Sequence, residues 1–145
     1  MKLAMIGGVL SVVLALPAFA QEGGDVAAGE KEFRKCKACH MIQSADGEDI
    51  VKGGKTGPNL WNIVGRPAGS QEDFKYSDAL LALNETGEVW TEEDLAAYVT
   101  DPNAFVQEKT GDSSAKTKMT FKLRKGQADI AAYLASVSPD APAAE

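Results

Sequence analysis

Cys36-Lys37-Ala38-Cys39-His40 contains every cysteine and the only histidine of this 145-residue chain. Two thiols three residues apart, followed at once by an imidazole, limit what the segment can bind and so what the rest must wrap. A structural zinc site needs about four nitrogen or sulfur ligands, and the chain has three. A reactive dithiol belongs in a βαβ setting, and no alternating strand pattern is visible. A plain disulfide stays open in an oxidising compartment, but it leaves His40 without a role. Covalent attachment of a c-type haem uses all three residues. The thiols add to the two vinyl groups, and His40, one turn past Cys36, is placed to ligate the iron.

The ends agree with that chemistry. Lys2, an uncharged apolar run from Leu3 to Leu16 and the small-x-small triplet Ala18-Phe19-Ala20 make residues 1–20 an expected export leader cleaved after Ala20. The run falls short of the roughly 20 residues of a membrane span, and no second one follows; an uncleaved N-terminal anchor is the alternative. The expected location is the bacterial periplasm, where haem is attached in this way. Residues 21–137 are then one domain, and the small, Pro-rich residues 138–145 are an expected disordered tail. Without Lys2, the 15 basic residues fall to 14 against 21 acidic, a formal charge of −7. That balance argues against nucleic acid as a partner.

Helical signals dominate and predict an all-α chain. One helix is expected from Val26 to Cys39, capped by Asp25, with Val26, Gly29, Phe33 and Cys36 on one face. A second starts after Thr91, with Asp94 as a weak capping-box partner, and stops at Asp101-Pro102. A third runs from Gln127 to Val137, with Ile130, Tyr133, Leu134 and Val137 at helical spacing. Shorter helices are expected at Ser77–Leu83 and Asn103–Glu108. Between them, Met41–Lys75 and Gly111–Lys125 show little periodicity. Loops this long count against a compact domain unless they wrap a large rigid apolar object, and haem is one.

A second iron ligand follows by elimination. After the leader only Met41 and Met119 remain. The backbone beside His40 cannot carry the Met41 sulfur to the far face of a haem, which leaves Met119, in Lys118-Met119-Thr120-Phe121. The alternative is that Met119 fills a core gap, the commoner role of methionine, although it fits no helical stripe. A His/Met pair fills both axial positions, favours ferrous iron and suits electron transfer rather than catalysis. The rivals are a haem enzyme or gas-binding sensor with an open distal site and, less favoured, a haem-free dithiol protein.

From Gly24 to about Val137 the chain resembles the class I c-type cytochromes, close to the bacterial cytochrome c2 and cytochrome c-550 group. The carriers are Gly29-x-x-x-Phe33, Cys36-x-x-Cys39-His40, Lys55-Thr56-Gly57-Pro58-Asn59-Leu60, Val64-Gly65-Arg66, Phe74-Lys75-Tyr76, Trp90, Tyr98, Lys116-Thr117-Lys118-Met119-Thr120-Phe121 and Ala132-Tyr133-Leu134. The resemblance implies three main helices, short helices and long loops around one covalent haem c. It implies that the Pro58 carbonyl accepts a hydrogen bond from His40, and that Tyr76 and Trp90, with Arg66 nearby and Ser77 as a weaker candidate, hold a propionate. Tyr98, with Thr117, should contact the Met119 side, and Gly29, Phe33 and Tyr133 should form a helix crossing. Two insertions relative to mitochondrial relatives lie near Ser44–Val51 and Gln107–Ala115. Two positions depart from the pattern. Trp61-Asn62 stands where relatives have Tyr-Gly or His-Gly, and Asn is among the least costly residues at positive φ. Leu80 replaces an asparagine used near a distal water.

The resemblance implies a monomeric one-electron carrier between a cytochrome bc1 complex and a terminal oxidase, peroxidase or photosynthetic reaction centre. Lys116, Lys118, Lys122, Arg124 and Lys125 surround Met119 with no acid between Asp112 and Asp129. On an acidic protein such a rim makes a dipole that steers the haem edge toward acidic partners. A solvated Lys-rich loop is the plainer alternative.

Overall fold

The computed structural model describes residues 23–142, so the expected leader and its cleavage point lie outside the described residues. Asp25 starts the first helix: its carboxylate accepts from the Ala28 N–H at 2.7 Å, and α1 runs Val26–Glu32. The helix predicted to reach Cys39 tightens early. It passes into a 3-10 turn at Phe33–Lys35, and the Cys39 and His40 amides then both donate to the Cys36 carbonyl. Val26, expected on the buried face, is 45% exposed. The buried line runs instead through Gly29 and Phe33.

The other helices follow from their caps. α2 (Asp78–Glu85) is capped by Ser77. α3 (Glu92–Thr100) begins at Thr91, whose hydroxyl accepts from the Asp94 N–H at 3.0 Å, and three acids in its first turn suit the positive end of the helix dipole. Asp101 ends α3 and caps α4 (Pro102–Thr110), with Pro102 in the first turn, where its missing N–H costs nothing. α5 spans Gln127–Ser136. The fold is helical, as the sequence implied, with one addition: β1 (Ile42–Gln43) and β2 (Asp49–Val51) form a small antiparallel hairpin. Its turn and second strand fall within the first of the two expected insertions.

α1 crosses α5, α5 packs on α3, and α4 backs α3 and α2. The α1–α5 crossing is closest at Gly29, where a Cβ would drive into the Asp129 carbonyl. Phe33 packs tilted on Tyr133 beside it, with ring centroids 5.6 Å apart. Trp90, Tyr98 and Phe105 form a second aromatic cluster joining α3 to α4, with centroid spacings of 5.0 to 5.6 Å.

The expected disordered tail needs correction over Ser138–Pro142. The Ser138 hydroxyl accepts from Val64 N–H at 3.1 Å and donates to the Leu134 carbonyl. Asp140 and Asn62 bond reciprocally, the Asn62 amide donating to the Asp140 carboxylate at 2.8 Å and accepting from the Asp140 N–H at 3.1 Å. Asn62, at φ 56°, is the one non-glycine with positive φ among the described residues. Its side chain spends its hydrogen bonds on this clasp, and residues 143–145 lie outside the described residues.

Gly29→Val forces backbone apart at the closest crossing, with no side chain able to yield. It should cost about 3 kcal/mol of stability, read as a lower guanidinium midpoint followed by far-ultraviolet circular dichroism.

Candidate functional site

Helices and loops enclose a mainly apolar cavity of about 400 Å³ within the core. Cys36, Cys39, His40, Pro58, Arg66, Tyr76, Trp90, Tyr98 and Met119 all line it, although they come from separate parts of the chain. Leu80 lines it too and is buried, so the wall is apolar at that point.

His40 is fixed by the loop that follows it. Its Nδ1 lies 2.8 Å from the Pro58 carbonyl, so Nδ1–H donates and the Nε2 lone pair stays available. Gly57 lies against the ring so closely that any Cβ there would strike the imidazole. Backbone bonds from Gly54 to Lys37 and from Gly57 to Cys39 press the same loop onto the Cys-x-x-Cys segment. Burial pushes the imidazole below its ordinary value, against the Pro58 bond, which favours the neutral, metal-binding ring. Burial, with Glu32 adding to it, pushes the Cys36 thiol up to about 11. Cys39 is exposed.

Met119 is half-buried on the loop after α4, and its N–H donates to the Thr117 hydroxyl at 3.4 Å. That hydroxyl also bonds the Tyr98 phenol at 2.8 Å. Burial raises the phenol above its ordinary value while Thr117 opposes the shift.

Arg66 closes another side. Two of its guanidinium nitrogens donate to the Trp61 and Asn59 carbonyls at 3.1 and 2.9 Å. Its Nε is the one buried side-chain polar atom without a partner among the described residues. Burial lowers the guanidinium from its ordinary value while Tyr76 opposes that. Asn59 and Gln71 brace Arg66 from behind rather than lining the cavity, and carry no signal in the sequence beyond a Gly-Pro-Asn turn. The Gln71 side chain accepts from Asn59 N–H at 3.0 Å, and its backbone N–H donates to Tyr76 at 3.4 Å.

These features fit haem. An apolar void of this volume would cost about 10 kcal/mol at the usual penalty per Å³, as much as a whole domain's stability. A flat apolar macrocycle would replace that void, an acidic substituent would satisfy the unpartnered Arg66 Nε, and two thiols stand beside a neutral imidazole.

A helical shell whose long loops close over a Cys-x-x-Cys-His cavity defines a class I c-type cytochrome. The chain is 61% identical over 145 residues to cytochrome c-550 of Paracoccus versutus, covering 99% of this chain and 94% of the relative. It is 60% identical over 129 residues to cytochrome c2 of Rhodobacter capsulatus, covering 89% of this chain and 92% of that one. The X-ray structure of ferric cytochrome c-550 from Paracoccus versutus superposes with a TM-score of 0.78 at 64% identity, over 80% of this chain and 99% of that chain. No family model matches the chain. The chain belongs to the cytochrome c2 and cytochrome c-550 family, and it is a monohaem electron carrier with one covalently attached haem c.

The basic rim is less uniform in space than in sequence. Lys122 pairs with Asp101 at 2.6 Å, and the Lys118 ammonium donates to the Lys75 carbonyl at 2.7 Å. Lys116 and Lys125 take no ion pair among the described residues. Lys122, then the Ala104 N–H, hold the Asp101 carboxyl below its ordinary value. The folded state therefore favours the ionised form. Its contribution is present above the ordinary value of 3.8 and is lost as pH falls through the lowered one. Asp101→Asn keeps a capping side chain and removes the charge. It should be less stable than the parent at neutral pH, and the gap between their urea midpoints should close as pH falls below about 3.8.

Proposed function

We propose that the protein is exported, with cleavage after Ala20, and works in the periplasm as a one-electron shuttle, residues 21–137 forming its working domain. Cys36 and Cys39 are the thioether attachment points, and His40 and Met119 are the axial ligands. The observation that carries this reading is the convergence of His40 and Met119, far apart in sequence, on one apolar cavity. Bound haem c supplies a reversible iron(III)/iron(II) couple.

The residues supply the rest. Pro58 fixes the His40 ring and increases the electron density of its Nε2. Met119 offers a soft thioether sulfur, which favours the ferrous state. With His40 and Met119 both holding the iron, no position would be left for a substrate, which supports a carrier rather than an enzyme. Arg66, Tyr76 and Trp90 hold the propionate edge, where a buried guanidinium offsets carboxylate charge. Tyr98 holds Thr117 and through it the Met119 side. No helix among the described residues is long and apolar enough to cross a membrane.

The donor is a cytochrome bc1 complex, and the acceptor is a terminal oxidase, a peroxidase or a photosynthetic reaction centre. Docking is through Lys116, Lys118, Lys122 and Lys125 around the haem edge, as a monomer. Exposed lysines on an acidic protein speed encounter without prolonging the complex, as a shuttle requires.

Two measurements test this. Met119→Ala should abolish the weak far-red ferric band of sulfur ligation, give a high-spin spectrum and lower the midpoint potential. An unchanged spectrum would overturn the ligand assignment. Lys116→Gln with Lys125→Gln should slow oxidation by a negatively charged acceptor about tenfold at low ionic strength and flatten its salt dependence. Equal rates and slopes would reject the docking face.

A further inference from the structure

Between Lys116 and Lys122 the loop carrying Met119 makes no backbone–backbone hydrogen bond among the described residues; its flanks are tied at Ala115 and Leu123. Side chains hold the part that matters. Asn103 and Gln107, one helical turn apart on α4, both reach this loop. The Asn103 Oδ1 accepts from the Thr117 N–H at 3.0 Å, and the Gln107 Nε2 donates to the Ala115 carbonyl at 3.1 Å. Thr117 is the residue whose hydroxyl receives the Met119 N–H and bonds Tyr98.

The helix offering these amides is itself fixed. Pro102, Phe105 and Val106 are buried. Phe105 stacks on Trp90 at 5.5 Å. Lys109 lies 5.4 Å over the Phe105 ring and pairs with Glu88 and Asp94. A rigid helix thus presents one acceptor and one donor to a loop with no internal ladder.

We propose that Asn103 and Gln107 are a latch that sets how often the Met119 loop lifts from the iron, and hence how readily a foreign ligand enters. They are positioning residues that act through Thr117 and Ala115, and the inference rests on Met119 being the sixth ligand. An entering ligand must wait for the open form, so its apparent affinity scales with the open population. Losing one hydrogen bond of ordinary strength enlarges that population about fivefold.

The test uses the ferric holoprotein and imidazole as the entering ligand. Asn103→Ala and Gln107→Ala should each raise imidazole affinity about fivefold, with loss of the far-red sulfur band on binding. The polarity of the latch separates positioning from bulk. Asn103→Asp keeps the acceptor and should bind imidazole like the parent. Gln107→Glu replaces a donor with an acceptor facing the Ala115 carbonyl and should open the loop at least as much as Gln107→Ala. Guanidinium midpoints report folding separately. Parent-like imidazole affinity in all four folded variants overturns the latch, as does parent-like behaviour of Gln107→Glu. If the parent itself lacks the sulfur band and binds imidazole at once, Met119 is not the ligand, and the reading beneath the latch fails first.

Discussion

Everything in this fold answers to one demand, that a large apolar cavity in a small domain be lined from all sides. The chain cannot close around such a volume with regular helices alone, because a straight helix presents one stripe and leaves corners. Loops turn those corners. Met41–Lys75 would be a liability in a domain with an ordinary side-chain core. Here it supplies Pro58, Arg66 and Phe74 to a single surface, and its own polar groups are met by Asn59, Gln71 and Arg66.

The two side chains proposed as iron ligands are held by different means. His40 is locked by backbone: a carbonyl accepts from its ring, a glycine lies flat against it, and two amides tie its loop to the Cys-x-x-Cys turn. Met119 stands on a segment held by side-chain bonds to α3 and α4. Backbone clamping costs little entropy because the groups are already ordered, whereas side-chain ties must immobilise rotamers. The histidine side is therefore the stiffer half of the site, and the methionine side is the one a loosened tie would open.

Much of this was legible in the residues, and the reasons for the rest are specific. Asp25, Ser77, Thr91 and the Asp101-Pro102 stop locate helix ends because capping is local chemistry. The early end of α1 was not legible, since nothing in Phe33-Arg34-Lys35 forbids another helical turn. The hairpin escaped because strands of two and three residues cannot show alternation. The tail read as disordered from composition, but its order comes from Asn62, a partner distant in sequence. The Lys122–Asp101 pair hid for the same reason. Asn103 and Gln107 did have a signal, two amides at i and i+4 on a helix beside the Met119 loop. Only contact shows what an amide bonds.

The Asn62–Asp140 clasp also ties together parts of the chain that lie 78 positions apart. The Cys-x-x-Cys-His turn is built from residues made early, whereas the wall carrying Arg66 is fastened by residues made nearly last. α1 likewise waits for α5 to bury Gly29. The cavity is therefore complete only when both ends of the domain are in place. The clasp thereby makes the wall that carries Arg66 depend on residues at the far end of the domain, so the site is only as firm as the tail that fastens it.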